Sequence, residues 1–374
     1  MFRALAPLLL ALAPGLAAAA DSIRVYNWND YIAPQVLEDF TKATGIAVEY
    51  HTYASAEELD KILASGESID IAVPSQNDLP PLIKAGLLQP LDLARLPNRK
   101  HLDKQLLSKL AAVDPQNRHA VPYLWGAVGL AINTPQAEAA YGGPLPHSWS
   151  LLFDPAQSAK LTGCGISVLD APDELLYNLL SYQGRSFTNS SPGRIRKAGE
   201  TLQDLRPNLR YVDSERYIED LNQGKLCVAV AWVGDALGAS DAGQPVQFVV
   251  PDEGSTLFID NLVIPASARR ADLAHKFIDY LMQPQVAAQI SSETLYPSAN
   301  TEAQRFLEPK LREQLGRNLD DAKNRLFALM PLSDKLKSAR DEVWNRFRDG
   351  SLASVYDLSP SPRAACLPCP SGVQ

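Results

Sequence analysis

Short apolar strands alternate along this chain with amphipathic helices of about a dozen residues, and that alternation leaves few folds open. Ile23 and Val25 begin a strand that runs into the turn formers Asn29-Asp30, with Pro34 leading a helix. Val36, Leu37, Phe40 and Ala43 share one helical face before Gly45 ends it. Ile46 to Tyr53 reads as a strand. Ser55-Ala56-Glu57-Glu58 fits a capping box opening a helix that runs to Gly66. Ile69-Asp70-Ile71-Ala72-Val73 then reads as a buried strand stopped by Pro74-Ser75. Such order predicts βαβ units, a parallel sheet, and a ligand edge at the carboxyl ends of its strands.

A second α/β series follows. Tyr123 to Ile132 reads as extended and suits a crossing between two lobes. Strands are expected at Cys164 to Leu169, around Arg210-Tyr211-Val212, and at Leu226 to Trp232. Helices are expected at Asp173 to Tyr182, Gly193 to Leu205 and Ser214 to Gln223. Val246 to Pro251 suits the return crossing and Phe258 to Ile264 a further strand, with helices over Ala271 to Gln289 and Pro331 to Arg348. The expected organisation is one lobe from 21–130 and 251–300, a second from 131–250 and 301–350, and a cleft between them.

Both ends lie outside that pattern. Arg3, the apolar run Leu8-Leu9-Leu10-Ala11-Leu12 and Ala18-Ala19-Ala20 describe a secretory signal peptide over residues 1–20, too short for a spanning helix. Its removal leaves 34 Lys+Arg against 43 Asp+Glu, a net charge of −9 that disfavours nucleic acid. Residues 351–374 are rich in Ser and Pro and read as a disordered tail in which Cys366 and Cys369 form a local disulfide. Cys164 and Cys227 each begin a strand, so a bond between them is geometrically plausible in an exported chain.

The chemistry-bearing residues gather at expected strand ends. Trp28, Asp30 and Tyr31 follow the first strand. Asp170, Asp173 and Glu174 lie between a strand and a helix, Trp232 precedes Asp235, and Phe258 alternates with Asp260 on one strand face. Each group also has an ordinary reading, as helix-start acids that complement the dipole or as core aromatics. Repeated in both lobes, aromatics and carboxylates suit an organic cation: π faces for the stem, negative groups for the ends. An acid/base pair of Glu174 and Asp235 is the enzymatic alternative. Against it, the chain has no Gly-x-Ser-x-Gly, phosphate-cradling glycine loop or His-Glu-x-x-His. The five histidines lack metal-ligand spacing, so no metal or cofactor is expected.

Tyr26-Asn27-Trp28-Asn29-Asp30-Tyr31-Ile32, Val73-Pro74-Ser75, Leu169-Asp170-Ala171-Pro172, Trp232-Val233-Gly234-Asp235 and Leu295-Tyr296-Pro297-Ser298-Ala299-Asn300 together resemble the periplasmic polyamine-binding proteins of ABC transporters, particularly their putrescine-binding branch. The resemblance runs from about Ser22 to Gly350 and implies an α/β, two-lobed type II periplasmic binding fold. It also implies a soluble periplasmic monomer that hands a polyamine to a membrane permease; a polyamine-sensing component is the alternative with the same chemistry. By resemblance, Trp28, Trp232 and Phe258 box the methylene chain beside Tyr31 and Tyr296. Asp235, Asp260 and Glu174 meet the ammonium groups, helped by Asp30, Ser75 and Ser214, and Cys164 and Cys227 match a disulfide position. Asn29 departs from the usual Ser or Thr of this ligand set, and Gln76-Asn77-Asp78 replaces a more apolar loop. Phe258 stands where spermidine-preferring relatives carry Trp, which favours putrescine over spermidine and agmatine. Asp78 is expected to be an exposed acid at the cleft mouth, contributing up to about 1 kcal/mol toward a third amine.

Overall fold

A computed structural model describes residues 21–316, 319 and 323–349; the expected signal peptide and the Cys366/Cys369 tail lie outside them. Ten strands among the described residues form one sheet. In chain order they are β1 (Ser22–Trp28), β2 (Ala47–Tyr53), β3 (Ile71–Ala72), β4 (Ala120–Asn133), β5 (Ile166–Val168), β6 (Tyr211–Val212), β7 (Val228–Trp232), β8 (Val246–Val249), β9 (Ser255–Val263) and β10 (Leu326–Ala328). Their spatial order is β2-β1-β3-β9-β4-β7-β5-β6, with β10 on β9 and β8 on β4. β1 pairs parallel with β2 and β3, and β5 pairs parallel with β6 and β7, as the strand–helix alternation requires.

Two strands join the halves. All fourteen residues of β4 are buried, so its apolar run is continuous rather than alternating. Ala120 to Ala127 pair with β9, whereas Val128 to Asn133 pair with β7 and β8, so β4 changes partners between Ala127 and Val128. β9 takes β10 at its start and β4 and β3 further on. A further crossing lies between Thr301, whose hydroxyl donates to the His101 carbonyl, and Lys310, which pairs with Asp241 at 2.8 Å.

The return crossing expected at Val246 to Pro251 falls instead on β9, since β8 pairs, among the described residues, only with Leu130 to Asn133 of β4, and two helices also differ from expectation. Ser55 Oγ accepts from Glu58 N and Glu58 accepts from Ala54 N, capping the helix Ala56–Ala64. The single helix expected over Ala271 to Gln289 is instead two, Ala271–Leu281 and Pro284–Thr294. Pro284 lacks an N–H and sits at a first helical position, where none is needed. The last helix begins at Asp334 rather than Pro331. The preceding residues are held extended, because Leu329 O accepts from Gln76 and Met330 O accepts from the Tyr177 hydroxyl.

Cys164 and Cys227 are disulfide-bonded, with Cα atoms 5.4 Å apart. They flank the paired strands β5 and β7, where Ile166 lies opposite Val228.

Candidate functional site

The turn after β1 is fastened from both sides. Asn27 is fully buried; its amide donates to Tyr31 O, its carbonyl accepts from Trp28 N, and the Tyr123 hydroxyl donates to Tyr31 O at 2.8 Å. Asp30 carries the left-handed backbone, φ 50°, that reverses the chain. Asn29 and Asp30 are left exposed while Tyr31 turns inward. There its hydroxyl donates to Asp260 Oδ2 at 2.7 Å, and Ser75 Oγ donates to Asp260 Oδ1 at 2.5 Å. Asp260, 5% exposed on β9, thus has both oxygens satisfied by neutral donors. Burial pushes its carboxyl up to about 6, against the opposing pull of the two hydroxyls.

Asp235 repeats this arrangement from the other half. It lies in the first turn of the helix Val233–Asp241 that follows β7, and accepts hydroxyl hydrogen bonds from Tyr217 and Tyr296. Burial raises its carboxyl to about 6 as well. The aromatic rings between the two acids touch edge-on: Tyr296 stands 5.3 Å from Tyr31 and 5.9 Å from Phe258. Two glycines permit this approach, since a Cβ on Gly234 would strike the Tyr296 ring and one on Gly126 the Phe258 ring. Trp28 packs on Tyr53 at 4.7 Å, and its buried indole N–H has no partner among the described residues. Trp232 is half-buried at the end of β7. The Ser214 hydroxyl is likewise buried without a partner.

The acids of the Asp170–Glu174 segment divide between two tasks. Asp170 accepts from Trp344 Nε1, and Asp173 pairs with Arg340 at 2.8 Å, so both anchor the last helix. Glu174, in the first turn of the helix Pro172–Tyr182, is half-buried, and burial with the field of Asp173 raises it to about 7. Asp173 and Asp260 both act on its charge.

Asp78 departs from expectation. It is half-buried, and burial together with Asp60, Asp173, Asp260 and Glu174 pushes it up to about 8. The exposed acid read from sequence is therefore corrected: the turn Gln76–Asp78 folds in against β9. Gln76, 1% exposed, accepts from Ile259 N at 2.6 Å and donates to Leu257 O and Leu329 O, which draws its neighbours inward. Sequence reading also missed Tyr217, a fully buried residue of the short helix Arg216–Asn222 whose only signal is its aromatic character. Arg340 was missed too, inside a helix of ordinary charge pattern.

Among the described residues no cluster of His, Cys, Asp and Glu can hold a metal ion, and no helix is long and apolar enough to cross a membrane. The arrangement has two α/β halves joined by shared strands, with acid and aromatic side chains supplied by both. This is the architecture of a two-lobed solute-binding protein. The match to the bacterial extracellular solute-binding protein family covers residues 35–314, and the chain belongs to that family.

Its relatives carry specific names. The chain is 37% identical over 353 residues to the putrescine-binding periplasmic protein PotF of Escherichia coli, covering 91% of this chain and 95% of that protein. It is 38% identical over 343 residues to a putrescine/agmatine-binding protein of Pseudomonas aeruginosa, covering 89% and 94%. Among solved structures, the spermidine/putrescine ABC transporter substrate-binding protein PotD of Streptococcus pneumoniae superposes with a TM-score of 0.77 at 25% identity, covering 88% of this chain and 99% of that one.

Proposed function

We propose that the protein is a periplasmic polyamine-binding component of an ABC transporter, that putrescine is its favoured ligand, and that no chemical step occurs. The observation that carries this reading is the pair Asp260 and Asp235. One stands on each half of the molecule, both are burial-perturbed, both are bonded only by hydroxyls, and the Tyr31 and Tyr296 rings lie between them. Neither acid has a cation partner among the described residues, so a ligand carrying an ammonium at each end would supply both. The putrescine-binding relatives support the same ligand class.

The energetics follow from the lining. An ammonium is costly to desolvate and needs charge-assisted hydrogen bonds, which the two carboxylates offer. Each methylene covered by Trp28, Trp232 or Phe258 gains about 0.8 kcal/mol on burial. The spacing between the carboxylates then measures the distance between amines. Rotation of the halves about β4 and β9 would expel water and present one closed shape to a permease. In this reading the lobes comprise residues 21–130 with 251–300 and 131–250 with 301–350, and the protein acts as a monomer. Calorimetric titration with diamines, triamines, amino acids and sugars tests the function. Binding confined to polyamines, recovered unchanged by mass spectrometry, is the expected outcome; turnover, or no heat with any polyamine, would overturn it.

A further inference from the structure

Three buried acids away from the cleft, Asp114, Asp70 and Asp220, are compensated. Asp114 accepts from the backbone N–H groups of His119 and Ala120 and meets the His119 ring. Asp70 accepts from the backbone of Arg24 and Arg270, and Asp220 meets Arg216, Lys225 and the Tyr211 hydroxyl. Asp78 does not follow this pattern. Its carboxylate accepts from the neighbouring Asn77 amide at 3.1 Å, and no cation among the described residues bonds to it. It does not cap the helix Leu79–Lys84 that it precedes.

Its position is imposed rather than loose. Ser75, three residues earlier, is bonded to Asp260, and Gln76 is held by two hydrogen bonds to β9 and one to Leu329 O. One 3-10 turn then carries Asp78 to the end of the cleft where Ser75 meets Asp260 and where Tyr53, which packs on Trp28, donates its hydroxyl to Val73 O. Gln76 and Tyr177 bond the adjacent carbonyls of Leu329 and Met330, which brings Glu174, one turn before Tyr177, to the same end. Three carboxylates therefore share the Trp28 end, while Asp235 serves the other. A dication that places one charge at each end leaves two acids at the Trp28 end without a partner, and a partly desolvated unpaired acid is unfavourable.

Building on the polyamine reading above, we propose that Asp78 is a specificity-determining residue that receives an additional cationic centre, so that the cleft admits triamines alongside the diamine. The excess of acid at this end is reduced to one when a secondary ammonium lies against Asp260 and a terminal one between Asp78 and Glu174. Putrescine is bound without that contact.

The test is calorimetric titration of putrescine and spermidine into the wild-type protein, Asp78→Asn, and Asp204→Asn as an exposed control. Asp78→Asn should weaken spermidine by about tenfold and putrescine by less than about twofold, with Asp204→Asn changing neither. Asp78→Glu, which keeps the charge, should retain most of the spermidine affinity. Equal effects of Asp78→Asn on both ligands, or none on either, would overturn the proposal while leaving the polyamine reading intact. So would an unchanged selectivity accompanied only by a change in the protons released, read as buffer-dependent binding heat, because Asp78 would then be neutralised by a proton. Failure of the wild type to bind either polyamine would instead remove the functional reading itself.

Discussion

Tyr31 and Tyr296 meet edge to face at 5.3 Å, and each gives its hydroxyl to a different carboxylate, Tyr31 to Asp260 and Tyr296 to Asp235. Acids contributed by the two halves of the molecule are thereby linked through one aromatic contact. A side chain that moves either ring disturbs both ends of the cleft.

Asp235→Asn should abolish most polyamine binding. The amide cannot supply the charge that an ammonium needs, and breaking a buried ion pair costs about 3–5 kcal/mol. Asp204→Asn is the exposed comparison; Asp103 is unsuitable because its carboxylate caps the helix Lys104–Leu110. A loss of less than about tenfold in Kd, roughly 1.4 kcal/mol, would place Asp235 outside the site.

Acidification should stabilise the empty protein and weaken ligand binding. A carboxyl raised by folding binds protons more readily when folded, so stability falls as pH rises through the window between its unfolded and folded values. That window runs from 3.8 to about 6 for Asp235 and Asp260, from 4.5 to about 7 for Glu174 and from 3.8 to about 8 for Asp78. Ligand-free protein should therefore melt higher at about pH 5 than at about pH 8, whereas affinity for a cation should fall over the same descent. Tyr31→Phe removes a hydrogen bond that lowers the Asp260 carboxyl, so it should move the midpoint of the binding profile to higher pH. Melting scans and titrations across this range check both signs.

Gly234→Ala should impair binding without touching an acid. The added Cβ meets the Tyr296 ring, which must shift and carry its hydroxyl away from Asp235. Overpacking of this kind costs about 1–3 kcal/mol. Affinity should drop more than melting temperature does, and an unchanged Kd would show that the ring position is not critical.

The double variant Cys164→Ala, Cys227→Ala should melt lower than the oxidised wild type. The two cysteines are 63 residues apart in sequence, and closing such a loop contributes about 4 kcal/mol in the chain-entropy treatment. Equal melting temperatures for the two proteins would assign the bond no stabilising role.

Strand and helix order, the cysteine pairing and the concentration of acids and aromatics at strand ends were legible in the sequence, because periodicity, turn chemistry and capping act over a few residues. The helix split at Pro284 was equally local and follows from its missing N–H. Which acid does what was not local. Asp170 and Asp173 look no different in sequence from Glu174, yet Trp344 and Arg340 engage the first two from over 160 residues away, and only Glu174 is left without a cation. Tyr31 and Asp260 are separated by 229 residues, so their hydrogen bond exists only once β9 lies beside β3 and the turn after β1 has closed. Asp78 read as an exposed acid because nothing nearby in the chain announces burial; Gln76, bonded to Leu257, Ile259 and Leu329, draws it in. Composition and spacing determined the elements and the supply of charge. Packing between distant segments decided which charges lost their water, because desolvation depends on everything that surrounds a group and not on its neighbours in sequence.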